Sequence, residues 1–189
     1  MKNIFKSYKT AAVILAAVVV VSILMGSHRS LTAERNKVEA LFTTGTDNSG
    51  YSIATDLSDS LTVAVNLMTV AGRYLDSASL ETLQGACNEL EAALDESTHY
   101  YSIGNASHAY QRLSQEAEAV MTALEAQDLT EKDAQYVRGF RADLLARADS
   151  IKFSDYNQRV DQFNQQILGR FPANVLGRLT FVREAQAFR

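Results

Sequence analysis

The sequence predicts an all-α protein: an N-terminal transmembrane helix followed by an antiparallel bundle of about four long helices with a short C-terminal hook. Three observations carry this. Beyond residue 28, apolar residues recur in alternating steps of three and four, the period of one buried helix face. One proline and nine glycines in 189 residues are too few breakers for a turn-rich β fold. Residues 11–25 are apolar but for Ser22 and follow Lys2, Lys6 and Lys9, the make-up of a secretory signal or a membrane anchor.

The division expected is a cytoplasmic tip and anchor at 1–28 and a helical domain at 29–189. Residues 10–27 would rise about 27 Å as a helix, close to the ~30 Å of a hydrocarbon core. Signal peptidase requires small residues at −3 and −1. The candidate ends Leu24-Met25-Gly26 and Met25-Gly26-Ser27 both put a large residue at −3, which favours a retained anchor over a cleaved signal. Lys2, Lys6, Lys9 and the terminal amine stand against Arg29, Arg35 and Lys37. The positive-inside rule then places the amino end inside and the bundle outside the cytoplasm.

Residues 29–42 read as a stalk helix with Leu31, Val38 and Leu41 on one side, and 43–50 as a loop by composition. Leu57, Leu61, Ala64, Met68, Ala71 and Leu75 form the first stripe. Its phase breaks at 76–79, either at a cap on Ser79 or at a stutter within one long helix. Leu80, Leu83, Cys87, Leu90 and Leu94 follow. Residues 102–105 read as a turn. Tyr110, Leu113, Ala117, Val120 and Leu124 make the next stripe. Thr130 and Asp133 have capping-box spacing, with aspartate in the less usual role at N3. Val137, Phe140, Leu144, Ala148 and Ile151 then open the last long helix, which Tyr156, Val160, Phe163 and Ile167 continue past an irregularity near Phe153-Ser154. Narrow apolar stripes of this kind bury themselves against one another.

Charge is uneven. Residues 56–135 carry fourteen acidic and three basic side chains, whereas 136–189 carry nine basic and five acidic. A basic final helix lying against acidic partners accounts for this within the molecule. An acidic body speaks against nucleic-acid binding.

Chemistry has few candidates. Glu96-Ser97-Thr98-His99 has the ExxH spacing of di-iron bundles, but those sites need a second ExxH and two more inward glutamates. His108 follows Asn105-Ala106-Ser107, which does not supply one. No CxxCH or glycine-rich phosphate loop occurs. Cys87 lies in a leucine stripe, where a buried inert thiol is expected. Tyr100-Tyr101 offers a small contact patch or ordinary packing. No catalytic, metal or cofactor residue is assigned, and a non-catalytic protein is expected.

The chain's most specific stretch is its last: Tyr156-Asn157, Val160, Phe163-Asn164, Ile167, then Phe171-Pro172, Asn174 and Leu176. Two aromatic-Asn pairs stand seven residues apart and lead into the one proline. Asn157 and Asn164 share a helix face beside the apolar stripe, so they are expected at a helix–helix seam, where amides set register. Pro172 ends the helix and suits the first turn of a short new one, which Val175, Leu176, Leu179 and Val182 would pin back on the bundle.

This stretch resembles the LemA family, whose pattern runs close to YNxxVxxYNxxIxxFPxNxL; Phe163 stands at its second tyrosine. Arg35-Asn36-Lys37-Val38 is similar to the family's stalk, and Asp56-Leu57 with Leu61 to its DLIPNL segment without the proline. The resemblance implies a single N-terminal membrane segment, a body of long helices, and a membrane-associated role in envelope organisation, with no known catalytic activity. The function expected is a membrane-anchored scaffold acting through protein partners or self-association. The alternative is a four-helix carrier, secreted or anchored, that holds a metal or small apolar ligand.

Overall fold

A computed structural model describes residues 8–45, 51–95 and 102–189, and every regular element among them is helical. The order is α1 (Tyr8–Thr44), α2 (Ile53–Ala71), α3 (Ser77–Leu94), α4 (Ile103–Glu125), α5 (Glu131–Phe153), α6 (Tyr156–Asp161), which continues as a π-helical stretch (Gln162–Leu168), and α7 (Ala173–Leu179). The chain divides into two compact units. One holds residues up to Glu39 with Gln158–Ala185; the other holds Ala40–Asn157 with Gln186–Arg189.

The second unit is the antiparallel four-helix bundle. Helix α2 packs against α3, α4 and α5, and α3 packs along α4. Its core follows the predicted stripes, with Leu75, Leu80, Leu94, Tyr110, Phe140, Leu144 and Ala148 only half-buried and a shift of position on α2. On α2 the buried positions are Ile53, Asp56, Leu57, Ser60, Ala64, Leu67, Val70 and Ala71, so Ser60 and Leu67 replace the expected Leu61 and Met68. Ser60 can lie there because its hydroxyl donates to the Asp56 carbonyl at 2.7 Å, which satisfies a group that burial would otherwise leave costly. Leu83, Cys87 and Leu90, then Leu113, Ala117, Val120 and Leu124, are buried as expected. Burial first and Glu91 second push the Cys87 thiol pKa up, which keeps it protonated and unreactive at neutral pH.

Local chemistry sets the helix ends. The break at 76–79 is a real one: α2 stops at Ala71, and Asp76, not Ser79, caps α3 by accepting from the Ser79 amide at 2.8 Å. Residues 103–105 are not a turn but the first turn of α4, because Ser102 accepts from the Asn105 amide at 3.2 Å. Helix α5 does end at Phe153, with Ser154 extended at ψ 135°.

Two buried carboxylates fix α5 against α2. At one end Asp56 receives Ser150 Oγ at 2.7 Å and Arg147 at 3.3 Å, while Arg147 also reaches Asp59 at 3.2 Å. At the other, Asp133 sits in the Thr130 cap (Asp133 N to Thr130 Oγ1, 3.2 Å) and takes Tyr74 Oη at 2.6 Å and Arg73 at 2.8 Å. In a capping box a longer Glu reaches back to the N-cap amide. Here the Tyr74 oxygen accepts that amide, Thr130 N, at 3.3 Å. The tyrosine hydroxyl thus bridges the gap left by the shorter aspartate. Arg141, meanwhile, pairs α5 with Glu118 and Glu125 of α4.

Helix α1 holds 37 residues, about 55 Å of helix, of which those up to Glu39 belong to the first unit. It runs unbroken past residue 28, so the expected stalk is its continuation. Its most apolar eighteen residues have a mean hydropathy of 2.4 and are not buried in the protein. It is long and apolar enough to cross a membrane.

The Tyr74 hydrogen bond, with help from Thr130 and Arg73, holds the Asp133 carboxyl below the ordinary aspartate value of 3.8. A depressed folded-state pKa stabilises above the unfolded value, and the gain is lost as pH falls through the folded one. The thermal unfolding midpoint should therefore be constant near neutrality and fall as pH drops below about 3.8. Asp133→Asn should lower the midpoint at pH 7 and lose less of it in acid, read by circular dichroism.

Candidate functional site

The signature residues build a device that grips the end of the chain. Tyr156 opens α6, its amide accepted by Ser154 Oγ at 3.3 Å. Its ring is fully buried and its hydroxyl donates to the Gln186 carbonyl at 2.6 Å. Asn157 then pairs with both backbone groups of Phe188. Its Nδ2 donates to Phe188 O at 2.7 Å, and its Oδ1 accepts Phe188 N at 2.8 Å. The Phe188 ring is held against Phe42 of α1 (centroids 5.8 Å apart) and Tyr110 of α4 (6.2 Å). Phe42 in turn meets Tyr156 edge-on at 5.8 Å and 71°. Ser107 of α4 donates to the Arg189 backbone oxygen. Residues 186–189 thus link α1, α4 and α6 within the bundle unit.

Asn164 repeats the same bidentate pairing in the other unit, with Nδ2 to Ala185 O at 3.0 Å and Ala185 N to Oδ1 at 2.9 Å. The expectation of a helix–helix seam is therefore corrected. Both amides hold an irregular tail, whose backbone has no ladder of its own and needs side-chain partners.

The remaining signature residues fall in the first unit. Val160 and Phe163 are buried. Ile167, expected on the same face, is exposed. The cause is the π-helical stretch, whose i→i+5 bonding widens the turn. Leu168, five residues after Phe163, faces inward instead and lies over Gly177: a Cβ on that glycine would come within 2.7 Å of Leu168 Cδ1. Gly169 closes the stretch. A Cβ there would meet the Gln165 carbonyl oxygen at 2.8 Å and that of Asn164 at 3.0 Å.

The Phe171-Pro172 bond is cis, and α7 begins directly after Pro172. The hook is not pinned as expected, because Val175 and Leu179 are exposed and Gly177 is its buried residue. Leu176 and Val182 are half-buried and Phe171 is exposed. Asn174 Oδ1 is buried without a hydrogen-bond partner among the described residues. It borders a cavity of about 220 Å³ with Asn164, Gly169 and Glu184.

Such an arrangement holds chain and presents surface. Its central amides neither titrate nor attack. Among the described residues no group of three or more His, Cys, Asp or Glu is placed to hold a metal; Glu96, His99, Tyr100 and Tyr101 lie outside them. Sequence reasoning missed Phe42, Ser107, Ala185 and Phe188. Residues 182–189 have no helical period to reveal them. No protein-family model, curated protein or solved structure matches the chain.

Asn157→Leu leaves both Phe188 backbone groups without their side-chain partner, a cost of about 1–3 kcal/mol each. It should lower the denaturation midpoint and open residues 186–189 to carboxypeptidase. Gly169→Ala should also destabilise, since its Cβ meets backbone and not a movable side chain; chemical denaturation of both variants checks this.

Proposed function

We propose that the protein is a membrane-anchored helical scaffold of the LemA type, acting by contacts with proteins and not by catalysis. The observation that carries the reading is α1, whose apolar segment is exposed along its length and continues unbroken into Phe42 of the bundle core. An apolar surface of that size is stable in lipid and not in water. The family likeness rests on the residues of the signature block, Tyr156-Asn157, Val160, Phe163-Asn164, Ile167, Phe171-Pro172, Asn174 and Leu176. The balance of Lys2, Lys6 and Lys9 against Arg29, Arg35 and Lys37 favours a bundle outside the cytoplasm. Envelope organisation is the role this implies, with protein partners or self-association as its means.

A second reading has one observation of its own. Tyr110, Met121, Leu144, Leu145 and Ala148, together with Ser114, Glu118 and Arg141, line a cavity of about 320 Å³ on the α4–α5 side of the bundle, whose apolar part would fit a small apolar ligand. Native mass spectrometry of the purified protein separates the readings, since a carrier retains a stoichiometric small molecule and a scaffold does not.

The scaffold reading expects the full chain to stay in the pellet after carbonate washing and a variant lacking residues 1–28 to be released. Crosslinking in intact membranes should then yield a discrete protein partner or a self-adduct. Release of the full chain, or an absence of any adduct, contradicts it.

A further inference from the structure

We propose that the hook, residues 170–183, is a second membrane contact that seats in the lipid headgroup layer beside α1. The inference rests on the reading of α1 as a membrane span. Within the first unit the hook meets α1 at one level. Gly26, Ser27 and Leu31 border a shared groove with Pro172, Ala173 and Leu176, and His28 Nδ1 donates to the Thr180 carbonyl at 3.0 Å. The apolar run of α1 ends at Met25. Residues 26–31 therefore lie within about 9 Å of its end along the helix. Headgroups occupy roughly 5–8 Å on each side of the hydrocarbon core, so a hook docked there lies at the depth of the headgroups.

Its exposed side chains suit that depth. Ala173, Leu176 and Gly177 face α1 or Leu168. The opposite side of α7 carries Val175 and Leu179, four residues apart and exposed at 47% and 60%, and Phe171, at 82%, stands in the turn that leads into the helix. Phe181, at 88% exposure, follows the helix. Arg170, Arg178 and Arg183 interleave with them, and no acidic residue occurs between 167 and 183. Aromatic and aliphatic side chains with arginines around them are the composition of interfacial segments, the apolar groups entering the acyl boundary and the guanidinium groups reaching lipid phosphates.

The chain contains no tryptophan, so single substitutions report position cleanly. Full-length Phe171→Trp, Phe181→Trp, Val18→Trp and Tyr136→Trp variants would be reconstituted in phosphatidylcholine–phosphatidylglycerol vesicles, with helicity verified by circular dichroism. Emission is then read with brominated lipids and with aqueous iodide. The expected result is loss of emission to brominated lipid for the Phe171, Phe181 and Val18 variants, and to iodide alone for Tyr136→Trp. Iodide quenching of both hook variants while Val18→Trp responds to lipid overturns the hook proposal and leaves the anchor intact. Lack of lipid quenching at Val18→Trp overturns both. Hook emission shielded from both quenchers in proportion to protein density overturns it in favour of a second copy of the chain.

Discussion

The carboxamide of Asn157 has to satisfy the N–H and the C=O of Phe188 at once, and the closed end of the bundle depends on its doing so. An irregular tail supplies no partners for its own backbone, so the groups it buries must be met by side chains. An amide presents a donor and an acceptor side by side in a single rigid plane. That geometry fixes the tail's position along α6, and with it the Phe188 ring between Phe42 and Tyr110. Tyr156 fixes the neighbouring residue through Gln186. Leucine could fill the same volume but could not choose a register.

The bundle's order rests on a different device. Helices with similar apolar stripes can pack in more than one arrangement, and specificity has to come from groups that tolerate only one. Asp56 and Asp133 are such groups, because each is buried and each finds its donors on a particular partner element. Breaking either pair leaves a buried carboxylate without compensation, which costs more than the pair itself contributes. The two sit at opposite ends of the α2–α5 interface, so together they set both its direction and its register.

Most of the fold was legible in the residues, and the reason is periodicity. Four stripes with steps of three and four led to four bundle helices, and Phe-Pro led to the hook. Errors fell where a local exception outweighed the period. Ser60 was passed over because a serine in a core is recognisable only once its bond to the Asp56 carbonyl is seen. Ile167 was placed on the buried face because a π-helical turn leaves no mark in composition. Residues 102–105 read as a turn in the sequence because serine and glycine favour turns and helix starts alike. The signature itself was legible as a pattern, but its job was not. The partners of both asparagines lie in a tail of Ala, Gln, Phe and Arg that has no period at all.

Hydrogen exchange at single-residue resolution tests the tail-grip account most directly. The account predicts that the amides of Ala185 and Phe188 exchange slowly, with Phe188 near the rate of the bundle core, while Arg183 and Ala187 beside them exchange fast. Fast, uniform exchange across residues 183–189 would contradict it, because no side-chain amide would then be holding the tail.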